Sequence, residues 1–304
     1  MSTTLVTGAS GFIGSRIIKA MTQRGLPLRG VTRETIPGLV SIPTYGPNMD
    51  WGNYLEGVET IVHLAARVHV MRETASDPLT LFREANVSAT VNLARQAAAA
   101  GVRRFVFVSS IKVNGERTEP GKPFTATDPP NPQDPYGISK AEAELALLAL
   151  GRQTGMEITI VRPPLVYGPG VKGNFQSLMK WAASGLPSIF AAVKNERSFV
   201  HVENLCNLLL RVLDHPKAAN QVFLVSDGHD LSTNDLLKFL TIAAGRSPRS
   251  IAVPTSVLLG IGSVLRKQTT VARLTENLQV DVKHTCDVLS WRPPLSINQT
   301  MKNL

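Results

Sequence analysis

The chain has 304 residues, 43% of them hydrophobic, with 32 Lys and Arg against 23 Asp and Glu. That length gives one large domain or two lobes with a core that needs no crosslinks, and the composition excludes a disordered chain. The formal charge of +9 favours an anionic ligand such as a nucleotide, but the cations are scattered, with no arginine-rich tail or aromatic-interleaved basic stretch to indicate nucleic acid.

In chain order, the opening "MSTTLVTGASGFIG" lacks the basic region of a signal peptide, and its apolar residues form a first strand. Leu5, Val6 and Thr7 lead into "TGASGFIG", and Ile13, Ile17, Ile18 and Met21 lead out at helical spacing, so Gly8, Gly11 and Gly14 turn a strand into a helix. A helix N-terminus offers unpaired N–H groups, and residues without side chains let a pyrophosphate approach the backbone; an ordinary tight turn is the bland alternative. Strand patterns follow at 28–32, 60–66, 104–110, 157–164 and 221–227, with helical patterns at 13–24, 79–100 and 136–150 and Gly101 as a C-cap. Near-continuous apolar strands alternating with helices predict an α/β fold: a Rossmann-type, doubly wound parallel sheet.

After about residue 165 the alternation breaks down into Pro- and Gly-rich turns and short helices. We therefore expect a dinucleotide-binding domain over 1–165, rejoined by 197–227, and a smaller mixed substrate-binding lobe from 166–196 and 228–304. The late apolar stretch "SIAVPTSVLLGIGSVL" contains Pro254, Gly260 and Gly262 and falls short of the ~20 residues of a membrane span. Without the strongly basic face of an interfacial helix it is read as a packed helix, and no membrane insertion is expected. Cys206 and Cys286 lie far apart with no C-x-x-C and no histidine cluster nearby, so neither a disulfide framework nor a metal site is expected. A cytoplasmic enzyme fits these features.

In "DPYGISKAEAELALLAL", Tyr136 and Lys140 are four apart on a predicted helix and project from one face. A free tyrosine has a pKa near ~10; an adjacent ammonium would pull it down, so that Tyr136 could exchange a proton with a hydroxyl or ketone, while Lys140 keeps donors for a ribose. Alone, Y-x-x-x-K is more often a surface pair. Behind a glycine-rich loop and a strand ending in Ser109 and Ser110, the functional reading is preferred, with Ser110 orienting the reacting oxygen and Ser109 capping a turn. His63 and His201 lie within strand patterns and read as satisfied core histidines, and Phe175, Met179 and Trp181 as core or pocket wall.

These motifs, with "HLAA" at 63–66, "VSSIKVNG" at 108–115, "VRPPLVYGPG" and "RSFVHVENL", resemble the extended branch of the short-chain dehydrogenase/reductase superfamily, nucleotide-sugar epimerases, dehydratases and reductases, nearly end to end. The resemblance implies Ser110, Tyr136 and Lys140 as the catalytic trio. It implies a cofactor held by Gly8, Gly11, Phe12, Ile13, Gly14, Asp50, Trp51, Leu64, Ala65, Ala66, Tyr136, Lys140 and Pro163. It further implies a homodimer through the helices near 79–100 and 136–150, whose alanine-rich faces permit close packing.

NAD-specific relatives carry an acidic residue at the end of the second strand; here Thr32 and Arg33 stand there, and Arg33 would attract the 2′-phosphate that a carboxylate repels. NADP(H) is thereby favoured, with NAD(H) open. The resemblance excludes dehydration, since "SSIKVNG" has Ile111 and Lys112 where dehydratases carry carboxylates. A reductase of UDP-4-keto-6-deoxy-N-acetylhexosamines in surface-polysaccharide synthesis is then the first expectation and a UDP-sugar 4-epimerase the alternative. A non-catalytic dinucleotide-binding regulator is third, disfavoured by the intact trio. By the same resemblance Ser110, Asn174, Arg197 and Arg273 contact a UDP-sugar, a solvated-helix reading of Arg273 being nearly as good. Leu165 replaces the asparagine, and Asn114 the aromatic, that many relatives place near the sugar.

Overall fold

The computed structural model describes residues 3–68 and 77–301, apart from the side chain of Asn174. In chain order the first half runs β1 (Thr3–Thr7), α1 (Phe12–Gln23), β2 (Leu28–Thr32), β3 (Val40–Ser41), α2 (Gly52–Leu55), β4 (Val58–His63), α3 (Pro78–Arg83), α4 (Ala89–Ala99) and β5 (Arg104–Val108). There follow α5 (Pro135–Thr154), β6 (Glu157–Arg162), β7 (Leu165–Tyr167), α6 (Asn174–Ser184), β8 (Phe199–His201), α7 (Val202–Val212) and β9 (Gln221–Leu224). The chain continues as α8 (Thr233–Ala243), α9 (Thr255–Val264), α10 (Gln268–Thr275), α11 (Lys283–Leu289) and α12 (Ile297–Met301).

Seven strands pair in parallel in the order β3-β2-β1-β4-β5-β6-β9. Adjacent residues of each strand face opposite sides, so an apolar run serves two cores. Val6, Val62, Val106 and Val161 pack with α1 and α7 on one face; Leu5, Ile61, Phe105 and Ile160 pack with α4 and α5 on the other. The sheet is the doubly wound one the alternation predicts, and its order reverses between β1 and β4, the place where such sheets open a crevice at their carboxyl ends.

Several elements depart from the sequence expectation: the strands expected over 104–110, 157–164 and 221–227 end at Val108, Arg162 and Leu224, and two further departures have identifiable causes. The helix predicted over 79–100 contains a π segment at Glu84–Ser88. There Asn86 turns inward: it receives the Arg67 N–H at 2.8 Å and donates to the Arg67 carbonyl and Ser139 Oγ, both at 3.0 Å. The strand predicted over 60–66 stops at His63, because Leu64 and Ala65 give their N–H groups to Thr7 Oγ1.

Residues 221–224 add the seventh strand, while β7 and β8 form a separate parallel pair. Leu289 and Trp291 pack into the core beneath the main sheet, although the sequence reading assigns them to the other lobe. Asp227, buried, ties these parts together: its carboxylate accepts from Tyr167 Oη and Asn204 Nδ2, both at 2.7 Å, and from the His201 N–H at 2.9 Å.

Candidate active site

Gly8 has φ +66°, and a Cβ there would lie 2.9 Å from Ala65 N; one on Gly14 would lie 2.0 Å from the Gly8 carbonyl. These two glycines let the β1 loop, the β4 loop and α1 touch through their backbones. Gly11, the N-cap of α1, would bring a Cβ near only the Gly8 carbonyl. No side chain caps this helix and no acidic residue occupies its first turn, so the amides of Phe12 and Ile13 begin a turn ready for an anion. The cradle fits a pyrophosphate. Half-buried Leu64, Ala65 and Ala66 border it, and Pro163, buried at the end of β6, accepts the Ile111 N–H at 2.9 Å.

At the end of β2, Thr32 is buried with its hydroxyl 2.9 Å from Ser10 Oγ, and Arg33 is exposed. Asp50 is exposed and accepts the Gly52 N–H at 2.9 Å. Trp51 does not stand open to a base: its indole has no exposure and packs edge-on against Tyr45 and Tyr54 in the core. An indole following a sharp loop is as useful to the core as to a ligand, and here the core takes it.

His63 is the satisfied histidine expected. Thr7 Oγ1 lies 2.8 Å from Nδ1 and Thr90 Oγ1 3.0 Å from Nε2, and burial brings its pKa down to about 3. His201 differs, since its buried Nε2 has no hydrogen-bond partner among the described residues. Ser110 takes both parts expected of the serine pair. Ser109 Oγ is buried with no hydrogen bond among the described residues, whereas Ser110 Oγ accepts the Lys112 N–H at 3.3 Å, capping a 3-10 turn over Ile111–Val113, and bonds Tyr136.

Helix α5 starts where Asp134 caps it, accepting the Gly137 N–H at 2.7 Å, with Pro135 preset for the first turn. In the first turn Tyr136 packs edge-on against Phe82, and the next turn places Lys140, 2% exposed, with Nζ 4.0 Å from the centre of the Phe107 ring. The electrostatics reverse the sequence expectation for the tyrosine. Burial, then the Asp134 carboxylate, push Tyr136 up to about 12, with the Ser110 bond offsetting part of the rise. Burial brings Lys140 down to about 7, opposed by Glu144. Sequence spacing gives proximity; it does not register what desolvation takes from both groups.

Behind α5, Arg162 and Glu144 form a buried pair, with Nε–Oε1 at 3.0 Å and Nη2–Oε2 at 2.5 Å, and Arg162 Nη1 donates to Asn114 Oδ1 at 3.0 Å. Asn114 thus serves this network, its Nδ2 donating to the Thr125 carbonyl, rather than lining an open sugar pocket. Leu165, by contrast, is exposed.

At the lobe junction Arg197 donates to the Glu276 carbonyl at 2.9 Å, and burial together with Arg273 brings its pKa down to about 10. Arg273 is not a solvated helix residue. It reaches from α10 to within 3.7 Å of Glu116 and 4.0 Å of Asp134. Lys112 meets the same two carboxylates, at 2.8 Å from Glu116 and closer to Asp134. Asn174 opens α6, and its side chain lies outside what the structure describes.

Sequence reasoning missed Asn86, Asp134, Glu144 and Arg162. Nothing in the sequence set Asn86 apart from the other polar residues of 79–100, and the D-P step before Tyr136 was the only signal for Asp134.

Residues 4–226 match the NAD dependent epimerase/dehydratase family. The chain belongs to that family. It is 44% identical over 304 residues to a UDP-glucose 4-epimerase of Vibrio cholerae, covering 98% of this chain and 93% of the relative. Among solved structures, UDP-glucuronic acid 4-epimerase from Bacillus cereus in complex with NAD matches with a TM-score of 0.79 and 20% identity over 99% of this chain and 96% of that one. RMD from Pseudomonas aeruginosa complexed with NADPH matches with a TM-score of 0.77 and 23% identity over 100% and 97%. At those identities the two structures speak for the fold alone. The family makes this an NAD(P)-dependent nucleotide-sugar enzyme, and of the two leading sequence expectations the 44% relative favours the epimerase over the reductase. No helix among the described residues is long and apolar enough to cross a membrane.

Proposed function

We propose that the protein is a UDP-sugar 4-epimerase. The observation that carries this reading is the 44% identity, end to end, with the Vibrio cholerae UDP-glucose 4-epimerase. Gly8, Gly11, Phe12, Ile13 and Gly14 would hold the dinucleotide's pyrophosphate, Thr32, Arg33 and Asp50 its adenosine end, and Leu64, Ala65, Ala66 and Pro163 the nicotinamide half. When bound, the nicotinamide would supply a reversible hydride acceptor for C4 of the sugar. Tyr136 takes the proton of the C4 hydroxyl as the carbonyl forms and gives it back as the carbonyl closes. Ser110, bonded to Tyr136, orients that oxygen. Lys140 in its ammonium form reduces the cost of charge on the phenolate and offers its remaining donors to a ribose. Arg197, Arg273 and Asn174 receive the diphosphate, for which a planar guanidinium is better shaped than a lysine.

One observation favours the NADPH-dependent 4-keto-sugar reductase as a second reading: exposed Arg33 and a threonine stand where a carboxylate would exclude a 2′-phosphate. The deciding experiment offers UDP-glucose and UDP-N-acetylglucosamine without added reductant and, separately, a UDP-4-keto-6-deoxy-N-acetylhexosamine with NADPH or NADH. Appearance of the C4 epimer by NMR without cofactor turnover is expected. Stoichiometric NADPH oxidation with the keto sugar, and no epimer, would replace the epimerase by the reductase. We further propose a homodimer through α4 and α5, where Leu145 is exposed; light scattering at the monomer mass would exclude it.

A further inference from the structure

Helix α9 is not the packed helix its sequence suggests. It meets the rest of the protein along one stripe, Leu258 and Gly262; a Cβ on Gly262 would lie 2.7 Å from Val271, so α10 presses flat against it. The other side carries Val257, Ile261, Val264 and Leu265 at the spacing of one helical face, with exposures of 47%, 49%, 83% and 59%. A contiguous apolar face of this kind is a contact surface with something other than water.

The charges around it indicate what that is. Residues 236–275 contain six Lys and Arg and no Asp or Glu. Lys238 pairs with Asp235 and Arg273 turns inward to Glu116 and Asp134. The other four, Arg246, Arg249, Arg266 and Lys267, are exposed, and the last two directly follow the apolar helix. A second copy meeting this face by two-fold symmetry would set four cations against four, with no carboxylate in the segment to pair them.

We propose that α9 and its cationic rim dock the protein on an anionic lipid surface. The helix lies flat, its apolar face among the upper acyl chains and the guanidinium and ammonium groups at the phosphates. At ten residues it is about 15 Å long, half a bilayer core, so it rests on the membrane and does not cross it. Because α10 follows immediately and carries Arg273 to the candidate site, a docked α9 would fix the cleft's orientation to the surface. The inference holds whichever reaction the site performs.

The test is flotation of the full chain with vesicles of phosphatidylcholine alone or doped with phosphatidylglycerol. Four cations, at about 1 kcal/mol each, give an expected preference for anionic vesicles of up to about a thousandfold at low salt, falling as salt is added. Ile261→Glu with Val264→Glu should abolish flotation, and Arg266→Glu with Lys267→Glu should cut it at least about tenfold, with Tm and turnover of a water-soluble sugar nucleotide kept. Failure of the unaltered chain to float with anionic vesicles would overturn the proposal, as would flotation that survives Ile261→Glu with Val264→Glu. An assembly in solution that Val264→Glu dissolves would overturn it too, by making the face a contact between copies.

Discussion

Glu144→Gln keeps the side chain's shape and removes its charge. Arg162 and Glu144 are 6% and 4% exposed and joined by a two-pronged pair, so the variant leaves the Arg162 guanidinium buried with only Asn114 and a neutral amide to serve it. Breaking one side of a buried pair costs about 3–5 kcal/mol. Taking an unfolding entropy of about 2 cal/mol/K per residue over this chain, each kcal/mol moves Tm by roughly 1.6 °C, so the expected fall is about 5–8 °C by calorimetry. A second consequence appears in turnover. Glu144 holds the Lys140 pKa up against burial, and without it Lys140 loses its proton at lower pH. Activity that needs the ammonium is lost as pH rises through that value, so the falling limb of the pH–rate profile should move to lower pH. Glu144→Leu combined with Arg162→Met, which removes both charges, should recover most of the lost stability. A Tm within about 1 °C of the unaltered protein for Glu144→Gln, with the fold intact, would refute the reasoning.

Tyr136→Phe should lower turnover by about 10²–10⁴ with Tm nearly unchanged, measured by coupled assay and calorimetry; retained turnover would exclude Tyr136 as the proton carrier. The folded pKa of Lys140 lies below the 10.5 of an ordinary lysine, at about 7, so between these values the unfolded chain binds a proton the native one does not, and stability rises with pH by up to about 1.4 kcal/mol per unit. Lys140→Met should remove that rise in a comparison of Tm at neutral and mildly alkaline pH, and an unaltered slope would contradict the assignment. Gly14→Ala should destabilise by about 1–3 kcal/mol or more and weaken dinucleotide binding, read by calorimetry and by fluorescence titration, because its Cβ would meet the Gly8 carbonyl at 2.0 Å. Lys112→Met should raise the Tyr136 pKa further by leaving Asp134 less neutralised, visible in the pH–rate profile, and adding Asp134→Asn, which still caps α5, should reverse it.

The parallel sheet and the glycine cradle were legible because each follows from local pattern. Apolar strands alternating with helices leave few alternatives, and three glycines between a strand and a helix meet steric demands that the structure locates at Ala65 and Gly8. The failures came where a side chain's partner lies far away in sequence. The adenine position that the resemblance gives Trp51 says nothing of Tyr45 and Tyr54 packing against its indole, and α9 looked packed until its neighbours proved to cover only Leu258 and Gly262. For Arg273 a solvated reading stood nearly level with the substrate contact because nothing within its helix announces Glu116 or Asp134, more than a hundred residues earlier.

The same distance dependence governs the chemistry. Tyr136 and Lys140 share a helix face, and the helix spacing alone argues for an acidified phenol, yet the surrounding protein drives both toward their neutral forms. Burial raises the phenol most, Asp134 at the helix start raises it further, Ser110 from the end of β5 lowers it, and two cations meet Asp134. One of these, Lys112, comes from the β5 turn, and the other, Arg273, from the second lobe. A diphosphate that attracted Arg273 would therefore act on the acidity of Tyr136 without touching it. The lobe proposed to hold the substrate would thereby be coupled electrostatically to the residue that would move the proton, through the Asp134 carboxylate at the N-terminus of α5.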